Sequence, residues 1–315
     1  MNPHKVSQIP EEYIHPLNLS GLNGRFLRIP RSRKKREILL IYGHHASLER
    51  YYGLAEDLSQ YGTLTMPDLP GFGGMDSLYN IGVEATIDEL ADYLAAVVKL
   101  IYKNRQFTLA GFSIGSAITT RMLQKYPEIA ARVDLYISVA GFTHWEDFKI
   151  LERHKQFYMN ISRLFVPKWS ATIFRYLILN SFILKSFYRF MPNARSKFSD
   201  LSNAEYKRMI NFDVELWQNN DVQTYMKTAR EMFLLDLTHE KVKLPVYNIS
   251  FGKADQYFDN KSVARNMKKI FTSYTVEVSK MKTHMPSVIA DKSETVGLIP
   301  KASRKLLARP PKKLK

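Results

Sequence analysis

Three residues far apart in the chain have the types that nucleophilic hydrolysis requires: a serine, a carboxylate and an imidazole. Ser113 stands within Gly111-Phe112-Ser113-Ile114-Gly115, and Asp255 and His284 follow it along the chain. A serine hydroxyl is a weak nucleophile until a base removes its proton, and a histidine can do so near neutral pH. A carboxylate that holds the imidazole in one tautomer completes such a triad. These residue types therefore indicate serine-nucleophile chemistry.

The residues around Ser113 have the pattern of a strand, a sharp turn and a helix. Residues 107–112 form a short apolar run with β character, and a helical pattern follows as far as Tyr126. A strand that turns at once into a helix leaves the serine strained and leaves no room for side chains at Gly111 and Gly115. The serine oxygen would then lie over the positive end of the helix, where a developing oxyanion is stabilised. The same pattern also suits an ordinary strand–helix turn with a capping serine.

The composition limits the possible classes of protein. The chain has 315 residues, 45% of them hydrophobic, and no cysteine. This length is ample for one large core with an inserted lid, and the lack of cysteine excludes disulfides and thiolate sites. No signal-peptide pattern and no apolar run of about 18 residues is present. We therefore expect a cytoplasmic protein, in contact with a membrane at its inner surface if at all.

The formal net charge of +16 favours anionic partners. Two basic clusters stand out, at residues 31–36 and 301–315. We interpret them as a solvated turn and a frayed basic tail, with attraction to an anionic membrane surface as the alternative. Nucleic acid is not expected, because the charge is spread over the chain without a recognisable binding module.

Apolar β-rich runs alternate with helical periodicity over most of the chain. A hairpin is predicted at residues 13–30, and further strands are predicted at 37–42, 62–66, 107–112, 135–141, 246–251 and 274–278. This alternation predicts an α/β fold with a mostly parallel sheet and helices on both faces. Residues 142–243 show only helical periodicity. The predicted domains are a core at 1–141 and 244–300, a helical cap at 142–243 and a basic tail at 301–315.

Together these motifs resemble the α/β-hydrolase superfamily, in its branch of capped serine esterases and lipases. The resemblance depends on residues 42–47, 67–73, 111–115, 252–255 and 283–284. It implies the α/β-hydrolase fold, with a helical cap between strands 6 and 7 and the chain order serine, aspartate, histidine. It assigns Ser113, Asp255 and His284 as the triad. The oxyanion hole would be the backbone N–H groups of His44 and Ile114.

Two of the triad positions keep alternatives. Asp259 is a rival to Asp255 as the acid, and Glu146 or Asp147, past the preceding strand, is another. His284 also suits a surface loop. The chemistry requires that each of these groups follow the carboxyl end of a strand.

The sequence departs from the family pattern without losing a reacting group. Tyr42 stands where a histidine is usual, and Ala46 and Ser116 stand where glycines are common. Adjacent histidines such as His44 and His45 rarely converge on one ion, so no metal is expected. No cofactor is expected either, because no phosphate-cradling glycine motif is present.

The predicted cap is rich in aromatic and basic residues, which we interpret mainly as helix packing. The apolar stretch at 173–190, with Arg175, Lys185 and Arg189, suggests an apolar lining with a cationic rim. The leading hypothesis is therefore hydrolysis of a carboxylic ester with a hydrophobic acyl or alkyl portion, lipid-like and presented at an anionic interface. The same triad also serves C–C hydrolases, amidases and acyltransferases, and a non-catalytic binding protein is the alternative of another class. The oligomeric state is open.

Overall fold

The strands of the computed structural model, which describes residues 9–31, 36–180, 183–184, 203–281 and 291–311, form one sheet. Its order is β1-β2-β4-β3-β5-β6-β7-β8. β1 and β2 pair antiparallel, as do β2 and β4, and every other pair is parallel. The strands are β1 (Ile14–Leu19), β2 (Leu22–Ile29), β3 (Glu37–Ile41), β4 (Thr63–Pro67), β5 (Phe107–Phe112), β6 (Val133–Val139), β7 (Val242–Ser250) and β8 (Phe271–Val278). The carboxyl ends of β3 to β8 therefore meet at one edge.

Helices connect the parallel strands, as crossover connections require. They are α1 (Leu48–Ser59), α2 (Ile87–Tyr102), α3 (Ile114–Lys125), α4 (Pro127–Ala130), α5 (Glu152–Phe165), α6 (Lys168–Leu177), α7 (Asn203–Asn219), α8 (Val222–Met232), α9 (Asn260–Ile270) and α10 (Lys301–Ala308). Ser47 caps α1 by accepting from the N–H of Arg50, and Thr86 caps α2 in the same way. None of the helices in the described ranges is long and apolar enough to cross a membrane.

The centre of the sheet is buried on both faces. Ile38, Leu39 and Ile41 of β3 have no exposed surface, and every residue of β5 is buried. Each such side chain contributes about 1.5–3 kcal/mol relative to an exposed one. The predicted α/β-hydrolase fold is confirmed, and its best-buried strands are the ones that lead into the candidate site.

The last strands begin earlier than the sequence predicted. β7 starts at Val242 rather than Val246, and β8 starts at Phe271 directly after α9. Pro245 lies inside β7, at a point where the register with β8 shifts. A proline lacks the N–H that a ladder needs, and such an irregularity accommodates it. Because of this proline, the sequence did not predict residues 242–245 as part of the strand.

The described residues between β6 and β7 include the helices α5 to α8, and α8 packs against both α5 and α6. This segment has a small hydrophobic cluster of its own: Ala171, Leu179, Leu184, Val214, Val222 and Met226. Arg175, one residue of the predicted cationic rim, donates to the carbonyl oxygens of Gln218 and Asn220. Lys185 and Arg189 lie outside the described residues. The boundaries 142–243 stay a prediction.

The basic clusters are more ordered than predicted. Arg36 is buried and pairs with Asp134 at 2.7 Å, so this end of the first cluster is not a solvated turn. The second cluster begins with α10, in which Leu307 is buried and Arg304 pairs with Asp57 of α1 at 2.6 Å. The expectation of a frayed tail is therefore wrong for residues 301–308, because Arg304 pairs with α1 and Leu307 is buried.

Candidate active site

Ser113 lies in the turn between β5 and α3 with a strained backbone, at φ 53° and ψ −119°. Its N–H donates to the carbonyl oxygen of Val139 at 2.8 Å. A Cβ at Gly115 would lie 2.4 Å from the carbonyl oxygen of Tyr42, and one at Gly111 would lie 2.7 Å from the Cα of Ser116. Both glycines are therefore dictated by contacts with backbone, which is the local geometry that a nucleophile elbow requires.

The loop after β3 lies directly beside this turn. A Cβ at Gly43 would be 3.4 Å from the Cβ of Ser113 and 3.0 Å from the Tyr51 hydroxyl. Burial raises the pKa of Tyr51 to about 12, so this hydroxyl stays protonated. Ile114 is the first residue of α3, where backbone N–H groups have no partner within the helix. The loop and the helix start thus both adjoin the serine.

The side chain of His44 fixes this loop to α8. Its Nε2 lies 2.9 Å from the Thr228 hydroxyl. That hydroxyl donates to the carbonyl oxygen of Thr224 at 2.7 Å, so it accepts the proton of the imidazole. The ring of Tyr225 lies 4.4 Å away, and burial lowers the pKa of His44 to about 4. The imidazole is therefore neutral at pH 7 and acts as an anchor.

His45 has a different set of partners, on α7 and the residue that follows it. Its φ is 55°, its carbonyl oxygen accepts from Arg50 at 3.3 Å, and its Nδ1 lies 3.1 Å from the Asn220 amide nitrogen. Burial lowers the pKa of His45 well below its ordinary value. The two imidazoles therefore lie within hydrogen-bond distance of different residues, Thr228 and Asn220, although both rings contact Tyr225 of α8. No group of three or more metal-binding side chains occurs in the described part of the chain.

Tyr42, which replaces the family's usual histidine, joins two loops. Its hydroxyl donates to Asp68 at 2.9 Å and accepts from the N–H of Leu69 at 2.6 Å. Arg25 donates to the other oxygen of Asp68 at 2.9 Å. Burial, and then the Asp68 carboxylate, raise the pKa of Tyr42 well above its ordinary value. The phenol therefore holds the loop after β3 to the loop after β4.

Ser116, where the family commonly has glycine, is accommodated by a neighbouring glycine. Its hydroxyl lies 2.7 Å from that of Ser138, and a Cβ at Gly141 would approach it to 2.4 Å. The space that Gly141 leaves thus takes the extra side chain. The serine does not crowd the turn.

Asp255 follows β7 and is buried, with 3% of its surface exposed. One carboxylate oxygen accepts from the N–H groups of Tyr257 and Phe258, both at 2.9 Å. The rings of Phe112 and Phe251, which lie at the ends of β5 and β7, are 6.5 Å apart. The carboxylate is therefore fixed at the same edge of the sheet as Ser113.

The rival acids each have a structural partner. Asp259 caps α9 by accepting from the N–H of Lys261 at 3.0 Å, and Glu146 pairs with Arg265 at 3.1 Å. Asp147 is fully buried and accepts from Thr143, His144, Ser262 and Asn266. Asp255 likewise has backbone partners, so the choice of Asp255 over these rivals stays a prediction.

His284 lies outside the described residues, so the structure does not place the predicted base. β8 ends at Val278, at the edge of the sheet where Ser113 and Asp255 lie. Ser113, the loop of His44 and Asp255 thus lie at the same edge of the sheet, with β6 between the strands that precede Ser113 and Asp255. The triad itself stays a prediction.

Sequence reasoning missed the residues that hold the loop after β3. Thr228 is separated from His44 by 184 positions and Asn220 from His45 by 175. No local pattern marks such contacts, because they depend on how α7 and α8 fold back over the sheet.

Comparisons with known proteins agree with this architecture. The family model for the alpha/beta hydrolase fold matches residues 37–289, and the chain belongs to this family. Among curated proteins, no sequence matches this chain significantly.

Three solved structures of similar fold illustrate the range of the family. An esterase from Thermogutta terrifontis is 17% identical, with 93% of this chain and 96% of that chain covered and a TM-score of 0.58. A candidate lipase from Acinetobacter baumannii is 17% identical, with 93% and 90% covered and a TM-score of 0.62. A candidate epoxide hydrolase from Klebsiella pneumoniae is 15% identical, with 94% and 96% covered and a TM-score of 0.62. At these identities the likeness concerns the fold.

Proposed function

We propose that this hydrolase-family protein cleaves a carboxylic ester through Ser113, His284 and Asp255. The observation that carries the proposal is the backbone of Ser113, a non-glycine residue held at φ 53° between β5 and α3. Such a conformation costs of order 1–3 kcal/mol and persists where the surrounding structure enforces it. Here it presents a hydroxyl at the sheet edge, which supports a nucleophilic role.

The reaction proceeds through an acyl-enzyme. His284 takes the proton of Ser113 while the serine oxygen attacks the ester carbonyl carbon, and the tetrahedral oxyanion accepts from the N–H groups of His44 and Ile114. When this intermediate collapses, the C–O bond breaks and His284 protonates the departing alcohol. Water then attacks the acyl group, with His284 as base, and the acid leaves as Ser113 regains its proton. Asp255 orients the imidazole and stabilises its charged form.

The identity of the nucleophile bears on the bond that is cleaved. Position 113 is a serine, whereas relatives that open epoxides attack with an aspartate, so epoxide opening is not proposed. Esters, thioesters, amides and some C–C bonds all suit the same triad. The esterase and lipase folds among similar structures favour esters. A hydrophobic acyl or alkyl portion is part of the proposal.

A fluorophosphonate probe tests the nucleophile. We expect labelling of the wild type and of Ser116→Ala, the neighbouring buried serine, and no labelling of Ser113→Ala. Ester hydrolysis should fall at least about 10⁴-fold in Ser113→Ala. If the wild type neither reacts with the probe nor hydrolyses any ester, the alternative hypothesis of a non-catalytic binding protein is favoured.

A series of p-nitrophenyl esters from acetyl to palmitoyl tests the substrate class. We expect kcat/KM to rise with acyl length, because each buried methylene contributes about 0.8 kcal/mol. A preference for acetyl alone contradicts the hydrophobic portion. An amide and thioester panel on the same enzyme assigns the bond type.

A further inference from the structure

The outer surface of α6 exposes large apolar side chains in a regular stripe. Trp169 is 66% exposed, Ile173 48% and Tyr176 73%. Their spacing of four and three places them on one side of the helix. Single exposed apolar residues are normal on proteins, but a contiguous set of this kind marks an interaction surface.

The neighbouring helix α5, which contacts α6, also exposes large apolar side chains. Phe157 is 58% exposed and Leu164 is 55% exposed, and they lie seven positions apart on the same side of α5. Tyr158, beside Phe157, is 51% exposed. We call these six residues of α5 and α6 the aromatic face.

The aromatic face points away from the sheet. Ala171, a buried residue of α6, lies on the side opposite to Trp169, and α5 and α6 both pack on α8. On its other side α8 contacts the loop after β3, through Thr228 and His44. The aromatic face is therefore separated from the candidate oxyanion loop by one layer of helix.

Basic residues predominate in the sequence of α5, α6 and the residues that flank them. Between positions 149 and 180, Glu152 is the one acidic residue, whereas the basic residues are Lys149, Arg153, Lys155, Arg163, Lys168 and Arg175. Arg153, Arg163 and Lys168 are exposed and form no ion pair with an acidic side chain of the described ranges. Tryptophan and tyrosine with adjacent cations are the composition of a surface that lies at the membrane interface.

We propose that the aromatic face of α5 and α6 binds the surface of an anionic lipid bilayer. The charge favours this occupant over a second copy of the chain, because two copies would bring the same cations together and each carries a net +16. The aromatic side chains enter the interface while Lys168 and Arg163 meet anionic headgroups. Delivery of a membrane-dissolved ester to Ser113 follows only if the proposed function also holds.

Flotation of the full chain with vesicles tests this proposal. We expect binding to vesicles of phosphatidylcholine mixed with phosphatidylglycerol, weak binding to phosphatidylcholine alone, and loss of binding as salt is raised. Ser113→Ala should bind like the wild type. Binding therefore reports on the aromatic face even if the hydrolase proposal fails.

Paired variants locate the surface. Trp169→Ser with Tyr176→Ser should weaken binding at least tenfold, since their apolar area no longer enters the interface. Val296→Ser, at a residue 79% exposed in another region, is the apolar control and should change nothing. Lys168→Glu changes the charge by two units and should weaken binding roughly 25-fold, at about fivefold per unit of charge, whereas Lys268→Glu on α9 should have little effect.

Fluorescence gives an independent readout. The chain has three tryptophans, and the emission of the exposed Trp169 should shift to shorter wavelength with anionic vesicles, a shift absent in Trp169→Phe. No binding by the wild type, or equal loss in the control variants, overturns the proposal. A wild-type dimer in sedimentation that Trp169→Ser dissociates also overturns it and assigns the face to a second copy.

Discussion

The turn at Ser113 and the aromatic face of α5 and α6 differ in how tightly their residues are packed. At the turn, the closest contacts are between backbone atoms, and a Cβ at Gly115 would lie 2.6 Å from the carbonyl oxygen of Ile41. On the aromatic face, Trp169 and Tyr176 have most of their surface in solvent. We therefore expect glycine to be required at position 115, whereas the large side chain of Trp169 should not be required for folding. Residue size alone does not show where the stability lies.

The largest expected effect is at Gly115. Gly115→Ala adds one methyl group that must displace backbone oxygens of β3 and of Tyr42, so we expect a loss of more than about 3 kcal/mol in the free energy of unfolding. Ester hydrolysis should fall at least about 100-fold. Denaturant unfolding and initial rates measure both. Glycine to alanine normally stabilises a helix by about 0.5–1 kcal/mol, so an unchanged or raised midpoint contradicts the steric argument.

Truncating a larger side chain usually costs more stability than truncating a smaller one. Within the helical segment we expect the opposite order for Met226 and Trp169. Met226 is 5% exposed in the cluster under α5 and α6, so Met226→Ala should cost about 2–3 kcal/mol. Trp169→Ala removes a larger side chain yet should change stability by no more than about 0.5 kcal/mol. Thermal unfolding of the two variants measures this difference. A large loss in Trp169→Ala would mean that the aromatic face is packed in solution.

The next effect concerns pH. The pKa of His44 is lowered to about 4 in the folded protein, against 6.5 in the unfolded chain. The unfolded state therefore binds more protons between these values, and stability falls as pH drops through this window. At about pH 5 the loss from this group is about 2 kcal/mol relative to pH 7.

His44→Gln isolates this group from the other titrations of the chain. The stability of the wild type minus that of His44→Gln should fall by about 2 kcal/mol between about pH 7 and pH 5. Urea unfolding at the two pH values measures it. A constant difference would show that the imidazole is solvated rather than buried against α8.

The sequence predicted the parts of the site that depend on local sterics. The sequence predicted Gly111 and Gly115 because a strand–turn–helix leaves no room for a Cβ. The place of Asp255 shortly after a buried strand was also predictable, but its role as the acid stays a prediction. The pairing of Tyr42 with Asp68 and of His44 with Thr228 joins distant segments, which no local pattern encodes. Finding these contacts required the three-dimensional structure.

The helical segment shows a second reason why sequence patterns did not predict every feature, here which side of a helix is buried. Apolar periodicity predicted helices correctly, but it did not show which side of α6 packs on α8 and which side faces solvent. A helix that is apolar on most sides has two candidate buried faces, and the choice depends on its neighbours. The aromatic residues at 157, 158, 169 and 176 were therefore interpreted as packing residues, whereas they are exposed.

The smallest expected effect is the loss of stability when one hydroxyl is removed, near the turn at Ser113 or on α6. Ser116→Ala removes a buried hydroxyl that lies 2.7 Å from Ser138, but Ser138 keeps the amide oxygen of Asn248, so we expect a loss of about 1 kcal/mol. Thr172→Ala on α6 removes an exposed hydroxyl that donates to the carbonyl oxygen of Lys168, and water can replace it. We expect a change within about 0.5 kcal/mol there. Equal losses in the two variants would mean that burial does not distinguish the regions, because the same chemical group would then contribute alike in both.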